Sequence, residues 1–169
     1  MKHLLVLTLL FFAWGFSQTV TPSALAELQP KAPAEIKQYF LDLGWRLMDE
    51  HTSEKPQRGD IVMMSSQKAD AATLHLTVFH ELGTAAKNRL FIKTRNKEFF
   101  EAFKTGIEPA GFGFISTKTA GNKKTVTYRS QTTTMELVSY RNGNVFSDFE
   151  VWVFDNSYER DLYHFGSGK

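Results

Sequence analysis

The apolar positions along the chain change period several times, and each change marks an element. An unbroken apolar run over residues 4–16 follows Met1-Lys2-His3 and gives way to Ser17-Gln18. A basic start, a short hydrophobic stretch and small residues at Gly15 and Ser17 are the layout of a secretory signal peptide, which predicts cleavage before Gln18. As a helix the run would rise about 20 Å, short of the ~30 Å hydrocarbon core, so no stable membrane anchor is expected after cleavage. Residues 18–33 carry Pro22, Pro30 and Pro33 and read as a leader whose prolines interrupt any long helix. Ile36, Tyr39, Phe40 and Leu43 then recur at the spacing of an amphipathic helix, with Gly44 placed to end it. Leu47 continues the stripe, which leaves two options: a helix running on to Asp49, or a strand from Arg46.

Beyond this point the period falls to two. Residues 60–66, 72–80 and 88–95 have strand character, most clearly where Leu74, Leu76 and Val78 alternate with His75, Thr77 and Phe79. Phe99, Phe100, Phe103 and Ile107 form the apolar side of a second helix starting near Lys97 and limited by Pro109. Residues 112–118, 125–131, 133–141 and 146–155 read as four more strands, separated by turn residues such as Gly121-Asn122 and Asn142-Gly143-Asn144. Laying Leu43-Gly44-Trp45 on Ala110-Gly111-Phe112 superposes helix, glycine-aromatic step and strand series in one order. The expectation is an α+β fold over residues 34–169 after a cleaved signal peptide (1–17) and leader (18–33). It divides into two helix-plus-antiparallel-sheet halves, 34–96 and 97–155, as in a tandem α-ββββ duplication, with a short tail over 156–169. The halves would carry two sheets side by side or one long sheet.

Composition narrows the function classes. With 42% hydrophobic and 22% charged residues the chain is that of an ordinary folded domain. It has no cysteine, which excludes thiol catalysis, zinc-thiolate sites and iron-sulfur clusters. The net charge is +2, without the concentrated basic stripe that a nucleic-acid partner requires. His80-Glu81 begins like a zinc-protease helix motif, but Thr84 stands where the second histidine would be. His75 and His80 are separated by an odd number of residues and so face opposite ways on a strand. Asp148 and Glu150 share a strand face and are the nearest approach to a glycosidase carboxylate pair; charges on strands more often guard a sheet edge. No nucleophile elbow or dinucleotide fingerprint is present, so no catalytic residue, metal site or cofactor is expected.

What remains is apolar surface. In the last predicted strand Phe149, Val151 and Val153 occupy one face, while Phe146, Asp148, Glu150, Trp152 and Phe154 occupy the other. A sheet covered by one helix layer needs only one apolar face, so the second set must meet another sheet, a ligand or a partner. Trp152, Phe154, Phe146, Tyr140, Tyr128 and Trp45 are therefore the candidate binding residues, for a protein partner or a small apolar ligand. The primary expectation is an exported, non-catalytic binding or interaction domain using an aromatic sheet face. One alternative is a carrier with a helix-sheet cavity lined by Phe40, Phe100, Phe103 and Trp45; the other is a hydrolase acting through His75 or His80. The paired helix-and-sheet plan resembles in architecture the secreted inhibitors of the β-lactamase inhibitory protein type, which grip a target on a concave aromatic sheet, though it lacks their cysteines.

Overall fold

The computed structural model describes residues 20–54, 57–65, 73–81 and 84–158. The expected signal peptide, and the tail beyond Tyr158, lie outside the described residues. Those described hold three helices, α1 (Pro22–Leu28), α2 (Pro33–Asp42) and α3 (Lys97–Thr105). They also hold eight strands: β1 (Arg46–Glu54), β2 (Gln57–Met64), β3 (Leu74–Glu81), β4 (Thr84–Thr94), β5 (Gly113–Ala120), β6 (Lys123–Arg129), β7 (Thr133–Asn142) and β8 (Val145–Asp155). All eight pair antiparallel in one sheet, ordered β1-β2-β3-β4-β8-β7-β6-β5. Of the two sheet arrangements expected, the chain takes the single long one, and the seam is the β4–β8 pair, from Leu90↔Val153 to Thr94↔Phe149.

Each helix starts on its own cap. The Thr21 hydroxyl accepts from the Ala24 amide at 3.2 Å, and Pro22 occupies the first turn of α1, where its missing N–H is no loss. Within the expected leader Pro22 thus begins a short helix, and Leu25 and Leu28 of α1 enter the core. Pro33 opens α2, with the Glu35 carboxylate accepting from the Ala32 amide at 3.1 Å. Asn96 caps α3 by accepting from the Phe99 amide at 2.9 Å.

The option of a helix running on to Asp49 fails at Gly44. Its φ is +79°, and two hydrogen bonds close the helix end: Gly44 N donates to Leu41 O at 2.9 Å and Trp45 N to Phe40 O at 2.9 Å. The same closure stands 67 positions on. Gly111 has φ +86°, its amide donates to Glu108 O at 2.9 Å, and Phe112 N donates to Ile107 O at 3.3 Å. The strand after each turn carries an extra residue at the matching place, Met48 between Leu47 and Asp49 in β1, and Ile115 between Phe114 and Ser116 in β5.

One side of the sheet meets the helices. Ile61, Met63, Leu76, Val78, Leu90, Ile92, Met135, Leu137, Phe149, Val151 and Val153 form a core with Leu25, Ile36, Phe40, Phe100 and Phe103. Helix α2 lies against β1–β3 and α3 against β8. The loop after α1 is tied to β4 by Asn88, whose Nδ2 donates to Gln29 O at 3.2 Å and Lys31 O at 2.5 Å while Gln29 Nε2 donates back to Asn88 O at 3.0 Å. None of the described helices is long and apolar enough to cross a membrane.

Candidate functional site

With the helices gathered on one side, the strand positions between the core residues point to the other, and the ladder registers set them in rows. One row runs His51, Asp60, Phe79 and Arg89 across β1–β4. The next runs Asp49, Val62, Thr77, Phe91, Trp152, Glu136 and Thr127, and so crosses the seam into β8, β7 and β6. A third runs Met64, His75, Lys93, Glu150, Val138 and Thr125. No described element covers these rows.

Three aromatic rings from three strands meet where the rows cross the seam. Trp152 packs on Phe91 with centroids 4.2 Å apart and lies parallel to Phe79 at 6.2 Å. The Arg89 guanidinium sits 5.0 Å above the Phe79 ring and 4.9 Å from that of Tyr158. Phe154 joins Tyr158 edge-on at 5.6 Å. Val138 and Phe154 are buried as well, although neither belongs to the helix-side core.

Polar contacts fix the orientation of the central rings. Trp152 Nε1 donates to Glu150 Oε2 at 3.2 Å, and the Tyr140 hydroxyl donates to the same oxygen at 3.3 Å. Burial, then the Glu150 charge and this hydrogen bond, push the Tyr140 phenol up to about 12, so it remains a donor throughout the neutral range. Asp148 accepts from Ser147 and from Arg95 Nε at 3.1 Å, contacts that hold its carboxyl below the usual range. Both members of the nearest carboxylate pair are thus engaged by neighbours.

Trp152, Phe154 and Tyr140 stand on the open face; the other three candidates do not. Ser147 is an extra residue in β8, since Tyr140 pairs with Asp148 but Arg141 with Phe146. That slip turns Phe146 to the helix side, where it packs on the core and corrects the strict alternation expected from the sequence. Tyr128 is buried in the same core, its phenol raised by burial and then by Glu108. Trp45 is buried against Phe40, centroids 4.8 Å apart. Phe79, Phe91 and Arg89 belong to the aromatic centre and were not singled out by sequence. The available signal was period two in 72–80 and 88–95, which puts Phe79 and Phe91 opposite the core set.

The histidines separate by face. His75 is exposed on the open face, while His80 is buried at 7% exposure, with its Nδ1 unpartnered. Burial lowers the His80 imidazole below its ordinary range, against the opposing pull of Asp60 and Glu50. Gly59 makes room for it: a Cβ there would fall 2.6 Å from the ring and 2.5 Å from His51 O. His51 itself lies between Asp49 and Asp60, 3.5 Å from each. A groove of about 750 Å³ opens here, lined by His51, Arg58, Asp60, Phe79, Glu81 and Arg89 among others. Among the described residues no group of histidine, aspartate and glutamate is placed to hold a metal ion.

On the helix side a groove of about 1020 Å³ runs between the end of α2 and α3, with Trp45, Phe99 and Phe103 in its wall. Two of the four expected cavity residues line it. Of the other two, Phe40 is packed away on Trp45, and Phe100, stacked on Phe149 at 4.5 Å, lines a separate groove of about 280 Å³ instead. No known protein family, curated protein or solved structure matches the chain.

Proposed function

We propose that this is an exported, non-catalytic interaction domain that engages a protein partner through the open face of its sheet. The observation carrying the reading is the Phe79–Phe91–Trp152 cluster, three half-buried rings on a face that no described element covers. Large rigid rings set in a partly desolvated surface supply binding area at small entropic cost, and tryptophan and tyrosine dominate interface energetics for that reason. Glu150 adds to this by holding both Trp152 and Tyr140 in place before any partner arrives. Export rests on the basic, apolar and small-residue order of residues 1–17. The matched helix closures and strand bulges 67 positions apart support an origin by duplication of one α-ββββ unit.

Photo-crosslinking in the native host tests the interface. A photoreactive phenylalanine replacing Thr77, on the open face, is expected to capture a defined protein, and one replacing Ala102, on the exposed side of α3, is not. Trp152→Ala in the Thr77 derivative is expected to cut the yield at least tenfold, as loss of an interface anchor of about 2 kcal/mol requires. Equal capture from both positions, or none from Thr77, overturns the proposal. A small-molecule adduct at Ala102 alone is the result the carrier reading expects, from the groove beside α3.

A further inference from the structure

The two outer strands of the sheet, β1 and β5, have no neighbour on their outer sides among the described residues. They are also where exposed apolar side chains collect. Leu47 and Met48 of β1 are 39% and 49% exposed, and Phe114 and Ile115 of β5 are 57% and 52% exposed. Each pair sits at a bulge. Sheet edges are usually guarded by charge and by bulges, and charge guards an edge when like signs meet.

Here the signs are opposite. Strand β1 carries Asp49, Glu50 and Glu54 against the single cation Arg46. The β5–β6 hairpin carries Lys118, Lys123, Lys124 and Arg129, with no aspartate or glutamate anywhere from Pro109 to Met135. Asp49 is 58% exposed beside His51, Glu50 is turned to the helix side and paired with Lys37 Nζ at 2.8 Å, and Lys118 and Lys124 are exposed. Two β5 edges brought together would oppose cations, and two β1 edges would oppose carboxylates. Only β1 against β5 is attractive.

Strand direction permits the same pairing. Eight strands alternating in direction leave β1 and β5 running opposite ways. A second copy displaced along the sheet, with its helices on the same side, therefore sets its β1 antiparallel to β5 of the first. We propose that copies of this protein associate head to tail by β1–β5 edge pairing, with Asp49 of one copy against Lys118 of the next, both on the open face of the sheet. The contact is heterologous, so every open assembly has one acidic and one basic edge free at its ends.

Sedimentation velocity tests this on the protein expressed from its complete coding sequence. Wild type is expected to associate progressively over a hundredfold concentration range. Association weakens at least tenfold as the ionic strength rises from about 0.05 to 0.5 M and the screening length falls below the charge separation. Met48→Lys/Asp49→Lys reverses the acidic edge and Ile115→Glu/Lys118→Glu the basic one, all at exposed positions. Each variant alone is expected to be monomeric, and an equimolar mixture to associate again, because each supplies the edge the other has lost. The single substitutions D49K and K118E carry the same prediction with a smaller shift, should either double variant fail to fold. A wild type monomeric throughout, an acidic-edge variant that still self-associates, or a mixture that stays monomeric overturns the proposal.

Discussion

Gly44 and Gly111 hold φ values of +79° and +86°, and a Cβ on either would meet nothing within 4 Å. Alanine at each site would therefore meet only the backbone penalty of the left-handed region, about 1–2 kcal/mol. Gly44→Ala and Gly111→Ala are expected to lower the urea midpoint by similar amounts, and the double variant by their sum; unequal losses would show that the two helix ends are not equivalent. Both turns were visible in the chain as a glycine before an aromatic residue after a helical stripe. His80 was visible only as a histidine on a strand, because its burial depends on Gly59 across the sheet. Its lowered titration sets a direction for stability. As pH falls below about 6.5 the unfolded chain takes up the proton before the folded one, so stability is full above that value and declines below it. Between about pH 7 and 5 the urea midpoint should fall more steeply for wild type than for His80→Gln, which removes that titration while keeping a polar side chain. Parallel curves would place the acid sensitivity elsewhere.

At the level of elements, the seven later strands and two of the three helices follow from apolar period and turn residues, because those signals are local. Helix α1 did not follow, since three prolines in sixteen residues suggest an extended tether; only the position of Pro22 after a capping threonine distinguishes a helix start from a break. The attachment of this part of the chain is equally non-local. Asn88 is fully buried and satisfies carbonyls at Gln29 and Lys31, some sixty residues away. Asn88→Ala strands those acceptors, which is expected to cost about 1–3 kcal/mol. Hydrogen exchange should show the loss concentrated in α1 and the start of α2, ahead of the sheet; uniform loss would mean that α1 does not open independently. Phe146 departs from the alternation for a related reason: a one-residue bulge at Ser147 leaves no mark in the sequence pattern, yet reverses the side chains beyond it.

At the scale of the whole molecule, the candidate site depends on a pairing that no local signal reports. Phe79 and Phe91 come from the first half of the chain and Trp152 from the last strand of the second, and they meet because β4 accepts β8. Period and turns predict two halves and leave their junction open, and with it the position of the aromatic centre. The placement of β8 also governs the order in which the molecule can be completed during synthesis. Strand β8, the last of the described strands to be synthesised, lies in the middle of the sheet, between β4 and β7. Until it arrives, both of those strands present bare edges and Leu90, Ile92, Met135 and Leu137 lack their Val151 and Val153 partners. A nascent chain stopped before Val145 therefore lacks the strand that joins the β1–β4 ladder to the β5–β7 ladder, and the sheet stays in two parts on one chain until β8 zips them together.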